Sequence, residues 1–406
     1  DRIGDARIVL LGEASHGTHE FYTWRTAITK RLISEKAFNI IAVEGDWPDC
    51  YRVNRFIKGN NDDGDEARQV LSNFRRWPTW MWGNWEMVAL SEWLRDYNMD
   101  LPDQRKISFF GLDVYGLWET MHTIYEYLKV EDPKAAELCK RAISCFEPYE
   151  GEGIEYAKAN RIMSRKCENE VIRLLKEIKN KYVLYDNDPD AGLNAWQSAH
   201  VIANAERYYR TLMALDRADS WNLRDYHMAE TLNKLLEHFG PASKIIVWEH
   251  NTHIGDARAT PMYRDGMINV GQLVREQHSS KGVVAVGFGT YSGTVCAARE
   301  WGAPMEIMNV PPAKPNSVEE ILHRESQQNK LLVFEDEIVR KHFDRILGHR
   351  AIGVVYNPNR ERANYVPTIL PSRYDAFIYL DQTKALHPLD LIPDVHQIPE
   401  TYPFAF

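Results

Sequence analysis

With 406 residues, 44% of them hydrophobic, the chain is long enough to bury one large core or two moderate ones. A formal charge of -9 and the lack of any dense Lys/Arg cluster argue against nucleic acid or an anionic membrane as the main partner. The cysteines (Cys50, Cys139, Cys145, Cys167 and Cys296) are odd in number and lack CxxC spacing, so neither a disulfide framework nor a thiolate zinc site is indicated, and a cytoplasmic location fits. No apolar run of roughly 18 residues or more and no basic, apolar leader is present. The chain opens on Asp1 rather than Met, as a trimmed product would, which leaves room for a lost leader.

The first informative stretch runs from Arg7 to Glu20. Ile8 to Leu11 read as a short strand buried on both faces, ended by Gly12. Glu13, His16 and Thr18 follow, and then Phe21, Trp24, Ile28 and Leu32 recur at helical spacing. Open α/β sheets bind ligands outside the carboxyl ends of their strands, which is where Glu13 and His16 fall. A histidine just ahead of a helix N-terminus is kept neutral by the macrodipole and can act as a general base or a metal ligand. The plainer alternative is that Glu13 and Thr18 cap the helix while His16 packs beneath it.

The pattern repeats. Ile40 to Val43 form a second apolar strand, stopped by Glu44, Gly45 and Asp46, and residues 47 to 58 read as a helix with Pro48 in its first turn. After a polar loop at 60 to 65 come Trp77, Trp80, Trp82 and Trp85, either a wall for a bulky ligand or a cluster packing a loop onto the core. A helix over 86–97 leads to a third strand ending at Gly111, with Asp113 and Tyr115 beyond it. From 117 to 221 the periodicity is helical (117–129, 133–145, 154–183, 191–217), which reads as a lobe inserted into an α/β core made of 1–116 and 222–406. On its last helix His200, Arg207 and Tyr208 either reach a cleft or, more simply, belong to the bundle and its surface.

Asn222 and Asp225 resemble a capping box opening a helix that Gly240-Pro241 stops. Arg224 then falls in a first turn, where a cation is disfavoured unless an anionic partner faces it, either a cleft carboxylate or a developing oxyanion; a surface position or a bridge to Asp225 is equally allowed. Ile245 to Trp248 form a fourth strand, followed by Glu249, His250, Asn251 and His253. Further strands at 282–289, 351–356 and 376–380 bring the sheet to about seven. Gly287, Gly289 and Gly293 lack the strand-to-helix context of a dinucleotide site. Pro311, Pro312 and Pro315 mark a loop, and the residues from His387 on read as an irregular tail. The fold class is therefore α/β, a mainly parallel central sheet flanked by helices with a helical lobe over the cleft.

Leu11-Gly-Glu-Ala-Ser-His-Gly17, Val43-Glu-Gly-Asp-Trp-Pro48, Gly111-Leu-Asp-Val-Tyr115, Arg224-Asp-Tyr-His-Met-Ala229 and His250-Asn-Thr-His-Ile-Gly255 together resemble, in that order, the erythromycin esterase family. The resemblance implies an α/β core with a helical lobe over a deep cleft, and ester hydrolysis, a macrolide lactone among the substrates, without a covalent serine intermediate. It makes His16 the general base, Glu13 and Glu44 cleft carboxylates, His250 and His253 the second histidine pair, and Arg25 and Arg224 arginines of the same cleft. Ser15 stands outside any Gly-x-Ser-x-Gly elbow, which agrees with water as the nucleophile. Glu44 is a carboxylate that would orient His16, and Arg224, His250 or His253 would stabilise the oxyanion. Arg25, Trp80, Trp82, Asp113 and Tyr115 are candidates for holding the substrate, with no cofactor or metal required. Two rival readings remain: the same histidines and carboxylates suit a metal-dependent hydrolase, though without HExxH spacing, and a tryptophan-rich cleft with histidines suits a ligand- or haem-binding protein.

Overall fold

The computed structural model describes residues 3–149, 167–181, 189–212, 217–278 and 282–394. Ten strands are present among them: β1 (Ile8–Leu11), β2 (Ile40–Asp46), β3 (Ser108–Asp113), β4 (Ile245–Trp248), β5 (Val283–Ala297), β6 (Glu306–Val310), β7 (Lys330–Val333), β8 (Leu347–Arg350), β9 (Tyr365–Thr368) and β10 (Ala376–Thr383). Eight of them form one sheet in the order β3-β2-β4-β1-β5-β10-β7, with β6 paired to β5, while β8 and β9 make a separate hairpin. The β3-β2-β4-β1-β5-β10 part is parallel, and β6 and β7 join antiparallel.

Apolar runs became strands because both faces of the sheet are covered, and alternation divides each run between two cores. Val9, Leu11, Ile41, Val43, Ile246 and Trp248 face one core, with Phe21 and Leu90 from the helices His19–Lys36 and Trp85–Met99. Ile8, Leu10, Ile40, Ala42, Ile245 and Val247 face the other, with Met228 and Leu232 from the helix Arg217–His238. Fully burying one such side chain contributes about 1.5–3 kcal/mol. The helices Leu117–Glu131, Pro133–Phe146, Glu168–Lys181 and Pro189–Thr211 share a third apolar cluster, which also takes in Val114, Tyr115 and Leu223.

The decisive topological feature is that β4 returns between β1 and β2. It sets His250, at the end of β4, between the loop after β1 and Glu44 on β2.

The structure corrects several expectations. Residues 351–356 are not a strand: Ile352 and Val355 make isolated bridges to Ser15 and Ala298, and Ile352 and Tyr356 pack on Val295 and Met308 at the far end of β5. The helix expected to start at Asn222 begins at Arg217. Asn222 is no cap; its side chain holds the loop at Gly266 and Ile268 instead. The expected helix at 154–183 is described over Glu168–Lys181, and the rest of that range lies outside the described residues, as does the tail from 395 on. Cys145 and Cys167 form a disulfide across the two helices they flank, so cysteine usage no longer argues for a reducing compartment. Among the described residues no helix is long and apolar enough to cross a membrane.

Candidate active site

The loop after β1 is clamped to the sheet. The Gly17 carbonyl accepts from the backbone N–H of Cys296 (2.9 Å) and of Leu386 (3.0 Å), and a Cβ at Gly17 would stand 1.9 Å from the Cys296 oxygen. Glycine is needed there for close backbone approach. Within the loop His16 Nδ1 lies 2.9 Å from Glu13 Oε1, and Glu13 Oε2 accepts from Arg25 Nη2 at 2.5 Å. Arg25 is stacked on the rings of Tyr22 and Trp248 at 4.4 and 4.6 Å. A carboxylate accepts, so His16 carries its proton on Nδ1 and presents a lone pair at Nε2, which is buried with no hydrogen-bond partner among the described residues. The orienting carboxylate is thus Glu13 rather than Glu44.

Across from it stands His250, its ring centroid 5.0 Å from that of His16. His250 Nδ1 accepts from the Thr252 N–H (3.3 Å) and lies 2.8 Å from Thr252 Oγ1, which leaves Nε2 as its protonated nitrogen. Burial first, then neighbouring His16, drives its pKa well below the ordinary histidine value, so the ring is neutral.

Glu44 and Arg224 organise the second half of the cluster. Glu44 Oε2 accepts from the His250 backbone N–H (2.8 Å) and Oε1 from Arg224 Nη2 (2.7 Å). Arg224 also grips Asp113 through Nε and Nη2 at 3.0 and 2.6 Å, over the ring of Tyr115. Its anionic partners are therefore cleft carboxylates, as expected, but from the interior of a helix rather than its first turn. With every edge of the guanidinium engaged, it is not placed to stabilise an oxyanion. Burial would raise the Glu44 pKa, but the Arg224 guanidinium and the His250 backbone N–H outweigh it and hold Glu44 well below the usual carboxylate range.

His253 stacks on Trp221 (4.7 Å, 7°), with Nδ1 3.0 Å from Asp225. Burial opposes a charge on this ring, yet Asp225 and Glu44 raise its pKa to about 9. Arg224 Nη1, 3.1 Å from His253 Nε2, acts against that, because a guanidinium can only donate. The hydrogen-bond geometry decides the resting form as the neutral ring, and a charged His253 requires Arg224 to turn away from Nε2. Beside them Glu249 is fully buried, with no hydrogen-bond partner on either carboxylate oxygen among the described residues; burial, then Glu44 and Asp225, pushes its pKa well up, which favours the neutral acid.

The structure thus brings together Glu13, His16, Glu44, His250, His253, Arg224, Arg25 and Asp113. Arg25, Asp113 and Tyr115 are not exposed to a ligand: each is fully buried and holds another member of the cluster or the bundle, Tyr115 meeting Tyr208 edge to face. Nor do the tryptophans line this cluster. Trp82 donates to the Glu44 carbonyl (3.1 Å), while Trp77 and Trp80 border a separate cavity of about 300 Å³ with Met305 and Leu389. His200 packs edge to face on Trp196, and Arg207 is exposed. Sequence reasoning missed Asp225 and Trp221 as partners of His253. Their signal was present in the helical spacing Trp221, Arg224, Asp225, which puts an aromatic, a cation and an acid on one face.

Among the described residues, three His, Cys, Asp or Glu donor atoms close enough to share an ion occur at His19, Glu86 and His387, not in this cluster, where the Nδ1 atoms already face Glu13, Thr252 and Asp225.

The family model described as erythromycin esterase matches residues 33–383. The chain belongs to the erythromycin esterase family. Within that family, erythromycin esterase type II of Escherichia coli is 24% identical over 315 residues, covering 73% of this chain and 71% of that protein. Among solved structures, a succinoglycan biosynthesis protein superposes with a TM-score of 0.78 at 22% identity, over 95% of this chain and 90% of its own. A mutant erythromycin esterase in its open conformation superposes with a TM-score of 0.70 at 18% identity, over 97% and 94%. At such identities the structural likeness shows the fold, a mainly parallel sheet flanked by helices.

Proposed function

We propose that this member of the erythromycin esterase family hydrolyses a carboxylic ester with a water molecule activated at His16 Nε2. The observation that carries the reading is that lone pair, buried and without a partner, on a ring whose other nitrogen is fixed by Glu13 and, behind it, Arg25. His16 takes a proton from water as the oxygen attacks the ester carbon. The Glu13 carboxylate stabilises the imidazolium that forms, and the same proton is available to the departing alkoxide. His250, protonated on Nε2 with its ring centroid 5.0 Å from that of His16, is a neutral donor on the side of the developing oxyanion. Base catalysis of this kind supplies about 10²- to 10⁴-fold.

His16 is 1% exposed, so the substrate enters through an opening motion. We assign it to the helices Leu117–Glu131, Pro133–Phe146, Glu168–Lys181 and Pro189–Thr211, whose shared apolar cluster rests on Tyr115 and Leu223 beside Arg224. A solved relative described in its open conformation supports such a movement. The name of the Escherichia coli relative makes a macrolide lactone the first ester to offer, followed by simple esters. Turnover is read by mass spectrometry as addition of one water. The reading expects a product with at least one ester that His16→Ala does not form; hydrolysis undiminished in that variant would overturn it.

A further inference from the structure

Outside the cluster, three segments far apart in the chain converge on one carboxylate. His19 opens the helix His19–Lys36, Glu86 sits in the first turn of the helix Trp85–Met99, and His387 follows β10. Glu86 Oε1 lies 2.6 Å from His19 Nδ1 and 2.7 Å from His387 Nδ1, and the two rings meet edge to face at 5.1 Å. All three donor atoms fall within 4.8 Å of one another. The Glu86 side chain is 5% exposed, His19 32% and His387 61%, so the group is anchored on one side and open to solvent on the other.

We propose that His19, Glu86 and His387 bind one divalent transition-metal ion, with zinc as the best match. Two imidazole nitrogens and one carboxylate oxygen are borderline ligands that suit zinc, nickel or copper and are poor for magnesium or calcium, which take oxygen donors. Three protein ligands leave a coordination position that water fills from the open side. The backbone is already set for it: His19 N–H donates to the Lys384 carbonyl and Trp85 N–H to the His387 carbonyl, each at 2.9 Å. Metal–ligand bonds of about 2.0–2.1 Å place tetrahedral donors about 3.4 Å apart, so the two nitrogen–oxygen contacts must widen by about 0.7 Å. Rotation of the exposed His387 ring, with a smaller turn of His19, provides that. Without an ion, the arrangement is two histidines sharing one acceptor, and the two states are distinguishable by titration.

The site is three residues from His16, and Leu386, next to His387, donates to the Gly17 carbonyl. A bound ion therefore ties the segment after β10 to the loop that carries His16. The assignment rests on these three side chains alone and is independent of the ester-hydrolase reading.

Untagged protein, stripped with chelator, is titrated with zinc chloride by calorimetry, with magnesium chloride in parallel, and its cobalt(II) spectrum is recorded. One zinc per chain, no magnesium binding and tetrahedral cobalt bands are expected. His387→Ala, at an exposed position that leaves the fold intact by circular dichroism, weakens zinc binding more than tenfold, because even the outer-shell partners of metal ligands are worth roughly 10- to 100-fold. His19→Ala does the same. Absence of zinc binding up to millimolar concentration, or one-to-one binding unchanged in both variants, overturns the proposal.

Discussion

Arg224 and His16 belong to one buried cluster, but their surroundings follow opposite rules. Arg224 is surrounded by partners: Asp113, Glu44 and His253 each meet a guanidinium nitrogen, and Asp225 holds His253 from behind. His16 is tightly held at Nδ1 and left without a partner at Nε2. Burial penalises unanswered polarity in both places. Around the Arg224 guanidinium the fold answers it; at His16 one acceptor is kept open. The first arrangement gives rigidity and the second is the one the proposed hydrolysis uses, and each substitution tests one side of that division.

The largest effect is expected from Arg224→Ala. It leaves Asp113 and Glu44 as buried charges without a cation, and breaking such a pair costs about 3–5 kcal/mol. Urea unfolding should show that loss, and adding Asp113→Asn should recover part of it. His16→Ala comes next: turnover should fall by about 10²-fold or more while the melting temperature changes little. More than a tenth of the rate remaining would falsify the base role.

Glu249→Gln probes an unpaired group on the other side of the cluster. Its folded-state pKa is raised above the ordinary value of 4.5 by burial, so the folded chain keeps a proton that the unfolded chain releases. Wild-type stability is then full below about pH 4.5 and falls as pH rises, by about 1.4 kcal/mol per unit, until the folded-state pKa is passed. Gln has no proton to lose, so the stability of the variant relative to wild type should grow with pH above about 4.5 and level off once the folded-state pKa is passed. A difference independent of pH would show that Glu249 is ionised in the fold. The smallest effect is expected from Thr252→Val, which removes one contact to His250 Nδ1 and leaves the Thr252 backbone N–H in place. A loss of about 1 kcal/mol of transition-state stabilisation, less than about tenfold in kcat, should appear with KM unchanged.

The half of the site built from local sequence was legible in advance. Glu13 and His16 are three residues apart in one strand-turn-helix unit, and apolar runs ended by an acid, with a glycine beside it in the first three, marked β1 to β4. Of the partners the sequence left open for Arg224, cleft carboxylates are the ones it meets. What depended on distant segments was not legible. Asp225 and His253 meet because a helix face and a strand end are brought together by the fold, so Asp225 read as a cap and Glu44, rather than Glu13, as the partner of His16. β6 and β7 are short antiparallel strands at the margins of the sheet, with an exposed Ile307 and Leu331, and lack the unbroken apolar signal of a strand buried on both faces. Residues 351–356 carry that signal without being a strand, because Ile352 and Val355 each touch the sheet through a single bridge.

The backbone clamp at Gly17 has a practical consequence for redesign. Its carbonyl is held by two separate chain segments, and any side chain there would collide with Cys296. Gly17 is therefore a poor position to diversify in a mutant library, since any side chain there would displace the neighbouring His16 imidazole before altering what it meets. Selection for a different substrate would do better to vary the helices Leu117–Glu131 and Pro189–Thr211, where amino-acid exchanges leave this fixed corner untouched.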